Sequence, residues 1–299
     1  MTAVGPGVMP AHPRSWRLIA AARPATVIAG LVLVAAVLVA VLAPWLSQQN
    51  PYDLAQLDVI DAHLPPGSAM ATGTARYWLG TDPQGRDMLS AIFYGLRTSL
   101  LVASVSTTVA LLFGMVTGLL AAFARSWVDA AIMRLVDLQL SFPAILIALI
   151  LLGLLGQGVD KVILALIAVQ WAYFARTVRA SALVERGKDY VQAAAGLGLA
   201  PLRIALGHLL PNCLPPLLVI VPVQAAHAIT LEATLSFLGV GVPVTEPSLG
   251  MLIAGGYDYL LSGEYWISLF PGIALVLVIG AINIVGDGLQ DWFHSTGER

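Results

Sequence analysis

The sequence predicts an all-α polytopic membrane protein with six membrane-crossing helices and both termini on one side. Three observations carry that expectation. Only 11% of the 299 residues are charged, against about 25% in soluble domains, while 58% are hydrophobic and the mean hydropathy is +0.85. Six segments approach the roughly 20 apolar residues that a helical span needs: 25–45, 99–123, 138–155, 162–181, 213–240 and 266–286. Lysine and arginine are distributed unequally between the segments that link them.

Taken in order, residues 1–24 form a tail with Arg14, Arg17 and Arg23 and no acid. The apolar run after it is too long for the core of a cleaved signal peptide, so it reads as an uncleaved first span. Residues 47–98 contain the turn signal "PPG" and read as a folded loop with an interfacial helix, not as a separate domain. The second span follows. The third is reached through Phe142-Pro143, and Asp137 is expected to pair with Arg134 one helical turn away. The fourth is the most polar and holds Gln170. The fifth is long and includes a short lead-in segment. Residues 241–265 are glycine-rich with no Lys or Arg, and read either as dipping back toward the membrane or as capping a cavity. Asp287 at the end of the sixth span reads as an interfacial anchor, ahead of a tail at 292–299. The membrane domain as a whole covers 25–291.

The positive-inside rule orients the chain. With the N-terminus inside, eleven of the fifteen basic residues lie on the inner side: Arg14, Arg17, Arg23, Arg125, Arg134, Arg176, Arg179, Arg186, Lys188, Arg203 and Arg299. Only Arg76, Arg86, Arg97 and Lys161 lie outside. Both termini and the segment Tyr190–Asn212 are therefore expected in the cytoplasm.

That segment, "YVQAAAGLGLAPLRIALGHLLPN", is neither a span nor an ordinary loop. Asp189 followed by Gln192 fits a capping box, with Asp189 as N-cap and Gln192 reaching back. Gly198 suits a left-handed helix terminator. Pro201 suits the first turn of a second helix running toward His208. Pro211 and Asn212 mark the return to the membrane. The result is a helical hairpin over 189–212 with a face of Ala and Gly. Small side chains let another surface approach closely, so the hairpin reads either as a docking knob or as a loop packed on its own membrane domain.

Other chemistries are poorly served. The single cysteine, Cys213, gives no internal disulfide, and no basic cluster suits nucleic acid. A phosphate-binding loop needs Gly-x-x-x-x-Gly-Lys-Ser/Thr. The two lysines are followed by Val162 and Asp189, so neither fits. No His/Cys group has metal-ligand spacing. No cofactor is expected on this chain, and it is not expected to be an enzyme.

The hairpin resembles the cytoplasmic "EAA" loop of ABC importer permeases: Glu-Ala-Ala, three residues, Gly, nine residues, Ile-x-Leu-Pro. Here Gln192-Ala193-Ala194, then Gly198, then His208-Leu209-Leu210-Pro211 match it. "LGTDPQGRDMLSAIFYGLRTSL" (79–100) and "LEATLSFLGVGVPVTEPSLGMLI" (231–253), with the ending "PGIALVLVIGAINIVGDGLQD", are similar to the second, C-type permease of the dipeptide/oligopeptide/nickel branch. The resemblance spans about 26–291. It implies a bacterial inner-membrane location, a sister permease, two ATPase subunits carrying ATP and Mg, and an extracytoplasmic binding protein. It also implies that Gln192, Ala193, Ala194, Gly198 and Pro211 dock an ATPase, whose nucleotide cycle moves the hairpin as a lever and tilts the flanking spans. One position departs from the pattern. The family has Glu where this chain has Gln192, which cannot form an ion pair, so Glu185 or Asp189 is left to supply the charge.

Polar residues inside spans face protein or a water-filled path. Gln224, His227, Thr230 and Thr234 share about 120° of arc on span five. They read either as lining a peptide path or as hydrogen-bonding the sister permease, and Gln170 carries the same two readings. Glu232 lies off that face and reads as a recogniser of a substrate amino terminus or as a structural acid. His208 reads as a pH sensor or a packing residue. Arg86-Asp87 either shapes the binding-protein dock or caps a helix. The favoured function is uptake of di- or oligopeptides, with a nickel or small-solute permease of the same family as the alternative. An ion-driven secondary transporter would need charge relays for which only Glu232 is available.

Overall fold

Long apolar runs become helices because lipid leaves backbone polar groups no partner outside their own segment. The computed structural model describes residues 24–53, 57–71, 73, 75–243 and 245–297, and is predominantly helical. The arginines of the N-terminal tail and Arg299 lie outside the described residues. Five helices are long and apolar enough to cross a membrane, or six if one bent pair counts as a single span.

Helix α1 (Pro24–Leu46) lies at the periphery, with Ala29, Ala40 and Ala43 forming its buried stripe. The outer segment after it holds a small antiparallel ribbon, β1 (Ser68–Ala69) and β2 (Arg76–Tyr77), with Ser68 opposite Tyr77. Asp61 is buried beneath it and accepts hydrogen bonds from the Tyr77 hydroxyl (2.8 Å) and the Ala71 amide (3.1 Å). The expected interfacial helix is instead the first third of α2, which runs from Met88 to Phe123. Ser90, Thr98 and Ser99 make this stretch look too polar for a span, yet all three are buried. Asp87 caps it, accepting from the Ser90 amide at 3.0 Å.

Span three is corrected more strongly. It is two helices, α3 (Ser126–Ser141) and α4 (Ala144–Leu155), bent by 94° where one was expected. Proline disfavours helical geometry in the residue before it, and Phe142 is extended (ψ 144°). With 12 residues, α4 is only about 18 Å long, too short to cross alone. Asp137 pairs with Arg176, not with Arg134, and Arg179 holds Asp129 through two bonds of 2.6 Å. The reason is packing: α3 lies on α5 (Val159–Arg186), with Val136 against Ala172 and Ala175, so partners across the interface win over partners along the helix.

The α2–α5 contact is the most extensive between two helices. A side chain at Gly114 would meet the Phe174 Cβ at 2.5 Å, and one at Gly118 would meet the Ala175 carbonyl at 2.6 Å. Small residues let membrane helices approach backbone to backbone. After α5 come α6 (Asp189–Gly196), α7 (Pro201–Ile204), a π turn (Ala205–Leu209) and α8 (Leu210–Phe237). Pro211 and Asn212, expected to mark the return to the membrane, lie inside a continuous helical run. The Leu210 amide donates five residues back to the Ala205 carbonyl, and the π turn carries α7 into α8 as one run. Asn212 helps by donating from its side chain to the His208 carbonyl at 2.6 Å.

Helix α9 (Leu249–Tyr257) folds back against α2, α8 and the final helix α10 (Trp266–Gly297). Gly250 abuts the Ala233 backbone and Gly256 abuts that of Ser268, so neither position has room for a side chain. Helix α10 continues past the expected end of span six, and Asp287 on it is exposed.

Candidate functional site

The hairpin is built on a buried underside. Val191 and Ala194 of α6 meet Ile204 of α7 and Leu209 of the π turn, with Phe123 and Leu199 closing the cluster. The capping box does not form. Lys188 is the N-cap and Asp189 is the first helical residue, while the Gln192 amide donates to the Gly187 carbonyl at 3.1 Å. A glutamine can reach a carbonyl in this way because it carries donors, and the extended Lys188 (ψ 148°) shifts the helix start by one residue. The far end follows expectation. Gly198 has φ +78°, its amide donates to Ala195 and the Leu199 amide donates to Ala194 (3.0 and 3.3 Å), a Schellman ending. Pro201 opens α7.

The outward face corrects the expected floor of Ala and Gly. Gln192, Ala193, Gly196, Gly198 and Pro201 are exposed, and so is Pro211. Ala194 is not, at 6% exposure. Two leucines project instead, Leu197 at 84% and Leu202 at 69% exposure. Helical periodicity was the available signal: Leu197 falls four residues after Ala193, away from Val191 and Ala194. Of the two acids near Gln192, Glu185 is engaged by the Lys188 ammonium (2.6 Å) and the Tyr190 hydroxyl (2.8 Å). Burial alone would raise its pKa, but these bonds outweigh it and hold the carboxyl below the usual range. Burial, followed by the bond to Glu185, pushes the Tyr190 phenol up. Asp189 is exposed and makes no side-chain hydrogen bond or ion pair among the described residues. His208 stacks on Tyr190 with ring centroids 6.4 Å apart. Arg186 anchors the hairpin's base, donating to the Ala122 carbonyl (2.7 Å) over the Phe123 ring.

On α8 the predicted polar face divides. Gln224 is buried, and its backbone carbonyl accepts from the Gln170 amide at 3.3 Å, so these two residues face the α5–α8 interface. His227 is half-buried. Thr230 and Thr234 donate to carbonyls of their own helix (2.9 and 2.7 Å) and line a recess of about 220 Å³ with Ala233, Phe237, Gly250, Ile253 and Leu275. Glu232 is not on that recess. It is fully buried and accepts from Ser99 of α2 and Ser236 of α8 (2.8 Å each), with Ser248 beside it. Sequence reasoning missed the partners on α2 and α9, because 133 residues separate Ser99 from Glu232 and nothing in either segment marks the pairing. In the outer loop Arg86 is buried beside Asp82 (3.6 Å), whose carboxyl is pushed up by burial and pulled back by Arg86. Asp87 serves as the cap already described.

Comparison with known proteins places this geometry. The family described as "Binding-protein-dependent transport system inner membrane component" matches residues 110–296. A putative peptide transport system permease protein of Brucella suis is 43% identical over 88% of this chain and 85% of its own length. The di/tripeptide transport system permease protein DppC of Pseudomonas aeruginosa is 37% identical over 84% and 82%. The probable D,D-dipeptide transport system permease protein DdpC of Escherichia coli is 33% identical over 90% and 86%. Among solved structures, an inward-facing form of the MetNI methionine ABC transporter aligns with TM-score 0.56 and 22% identity. That alignment covers 67% of this chain and 94% of the other, and shows a shared fold.

Proposed function

The chain belongs to the family of binding-protein-dependent transport system inner membrane components, multi-pass permease subunits of bacterial ABC importers, and we propose that it forms half of a translocation path for di- or oligopeptides. The observation that carries the substrate is the naming of its relatives as peptide permeases at 33–43% identity over most of both chains. These names favour peptides over nickel. The other half of the path comes from a sister permease, the peptide arrives on an extracytoplasmic binding protein, and two ATPase subunits carry ATP and Mg. The asymmetry of basic residues supports a cytoplasmic position for both termini and the hairpin.

The hairpin is the ATPase dock. Its outward stripe of Asp189, Ala193 and Gly196 lies opposite the buried Val191 and Ala194, with Leu197 and Leu202 as apolar anchors. Leucines this exposed invite a partner groove, since contiguous exposed apolar surface marks interaction sites. Gln192 is committed to Gly187 and Glu185 to Lys188 and Tyr190, so Asp189 supplies the charge that the family pattern places at position 192. ATP binding drives the cycle because the inward- and outward-facing states hold the closed ATPase pair with different free energies. Movement of the hairpin passes directly into α8, because α7, the π turn and α8 are continuous.

The complex in proteoliposomes should take up a tripeptide with ATP inside the compartment that the hairpin faces. Uptake that survives ATP depletion with an ion gradient intact would overturn this reading.

A further inference from the structure

We propose that α9 is the outer wall of the peptide path and that Glu232 is its positioning residue, so that the recess between Ile253 and Thr230–Thr234 limits the bulk of side chains that pass. This rests on the peptide reading above. Helix α9 has two working faces. Gly250 and Ile253, three residues apart, line the recess, while Leu249, Met251 and Leu252 are buried on the other side. Gly250 belongs to both settings, since it lines the recess and touches the Ala233 backbone. Any shift of α9 therefore changes the recess width directly.

What holds α9 is unusual for a membrane interior. A buried carboxylate is costly unless its oxygens are satisfied. Two hydroxyls satisfy Glu232, Ser99 on α2 and Ser236 on α8, and Ser248 at the start of α9 lies beside it. Ser248 also caps α9, accepting from the Met251 amide at 3.2 Å, so the helix begins at the carboxylate, where its dipole favours negative charge. Ser236 further accepts from the Val242 amide at 3.2 Å, tying down the chain between α8 and α9. An apolar side chain could fill this volume without the desolvation cost. The carboxylate adds direction, because hydrogen bonds from two hydroxyls fix α2 against α8 where α9 begins. Backbone-close contact at Gly95, where a Cβ would lie 3.2 Å from the Leu249 amide, completes the clasp.

The test uses the full complex in proteoliposomes and compares uptake of triglycine with that of a tripeptide carrying a central tryptophan. Ile253→Trp should lower tryptophan-peptide uptake at least tenfold relative to triglycine, and Ile253→Ala should raise the ratio. Glu232→Leu should shift the ratio through the maximal rate, with KM nearly unchanged. Glu232→Gln, whose amide still accepts hydroxyl bonds, should stay within twofold of the parent. Ser248→Ala serves the same purpose should Glu232→Leu not assemble. A ratio unchanged in Ile253→Trp, with triglycine uptake intact, overturns the wall; a ratio unchanged in Glu232→Leu or Ser248→Ala overturns the clasp. A parent complex that transports neither peptide refutes the peptide reading instead. The clasp is then judged by maleimide labelling of Ile253→Cys, Cys213 being buried. A rate equal with and without Glu232→Leu overturns it.

Discussion

The two ends of α8 are built on opposite plans. At the hairpin end, leucines face outward, alanines and glycines stay exposed, and the nearest unengaged acid points into solvent. At the other end a carboxylate is sealed under two hydroxyls, and glycines bring backbones into contact. One end is a surface left for another protein to complete; the other completes itself. Exposed apolar area concentrated in one place marks an interaction site, whereas an internally satisfied polar cluster specifies one packing arrangement. Substitutions on the hairpin's outward face should therefore change assembly, whereas those in the packed far end, or on the hairpin's buried underside, should change stability.

The largest effect should come from Gly250→Leu, which drives a side chain into the Ala233 backbone. Overpacking of this kind costs about 3 kcal/mol, and thermal unfolding in detergent should show it. An unshifted melt would mean that the outer end is looser than its contacts imply. Next, Ala193→Arg should weaken ATPase co-purification at least tenfold, or about 1.4 kcal/mol, with the melt unchanged. Ala194→Arg provides the contrast. It sits on the buried underside, so it should destabilise the hairpin itself, and assembly would fail for a different reason. Equal behaviour of the two variants would erase the distinction between face and underside. Gly198→Ala forces a Cβ into a left-handed conformation at about 1 kcal/mol, visible as faster hydrogen exchange across α6 and α7. Smaller still, Gln192→Glu loses the bond to Gly187, about 1 kcal/mol of local stability. In an Asp189→Asn background it should restore any ATPase affinity lost; no recovery would remove Asp189 from the dock.

Much of this was legible in the sequence, and the gaps have physical causes. Most of the long helices were legible from apolar length, because lipid enforces helices wherever charge is scarce. The terminator at Gly198 and the start at Pro201 were legible because both are local backbone requirements. The early start of α2 was hidden because buried serines and threonines bond within the fold, and hydropathy counts them as polar. Asp137 was assigned to Arg134 because sequence shows helical neighbours and not the helix packed alongside. Glu232 looked ambiguous because its meaning lies in Ser99 and Ser248, on separate elements. Leu197 was overlooked when small residues drew the attention, although its helical phase was readable.

The uninterrupted course from Pro201 to Phe237 has one more consequence. A rod of that length is about 55 Å from end to end, so a rocking motion of about 5° about its midpoint carries the two tips about 2 Å in opposite senses. The hairpin and the Glu232 clasp sit near those tips. A see-saw needs no relay of side chains between its seats: pushing one tip down already lifts the other. On the proposed docking, the ATPase dock and the far end of α8 are thereby bound to opposite phases of a single movement.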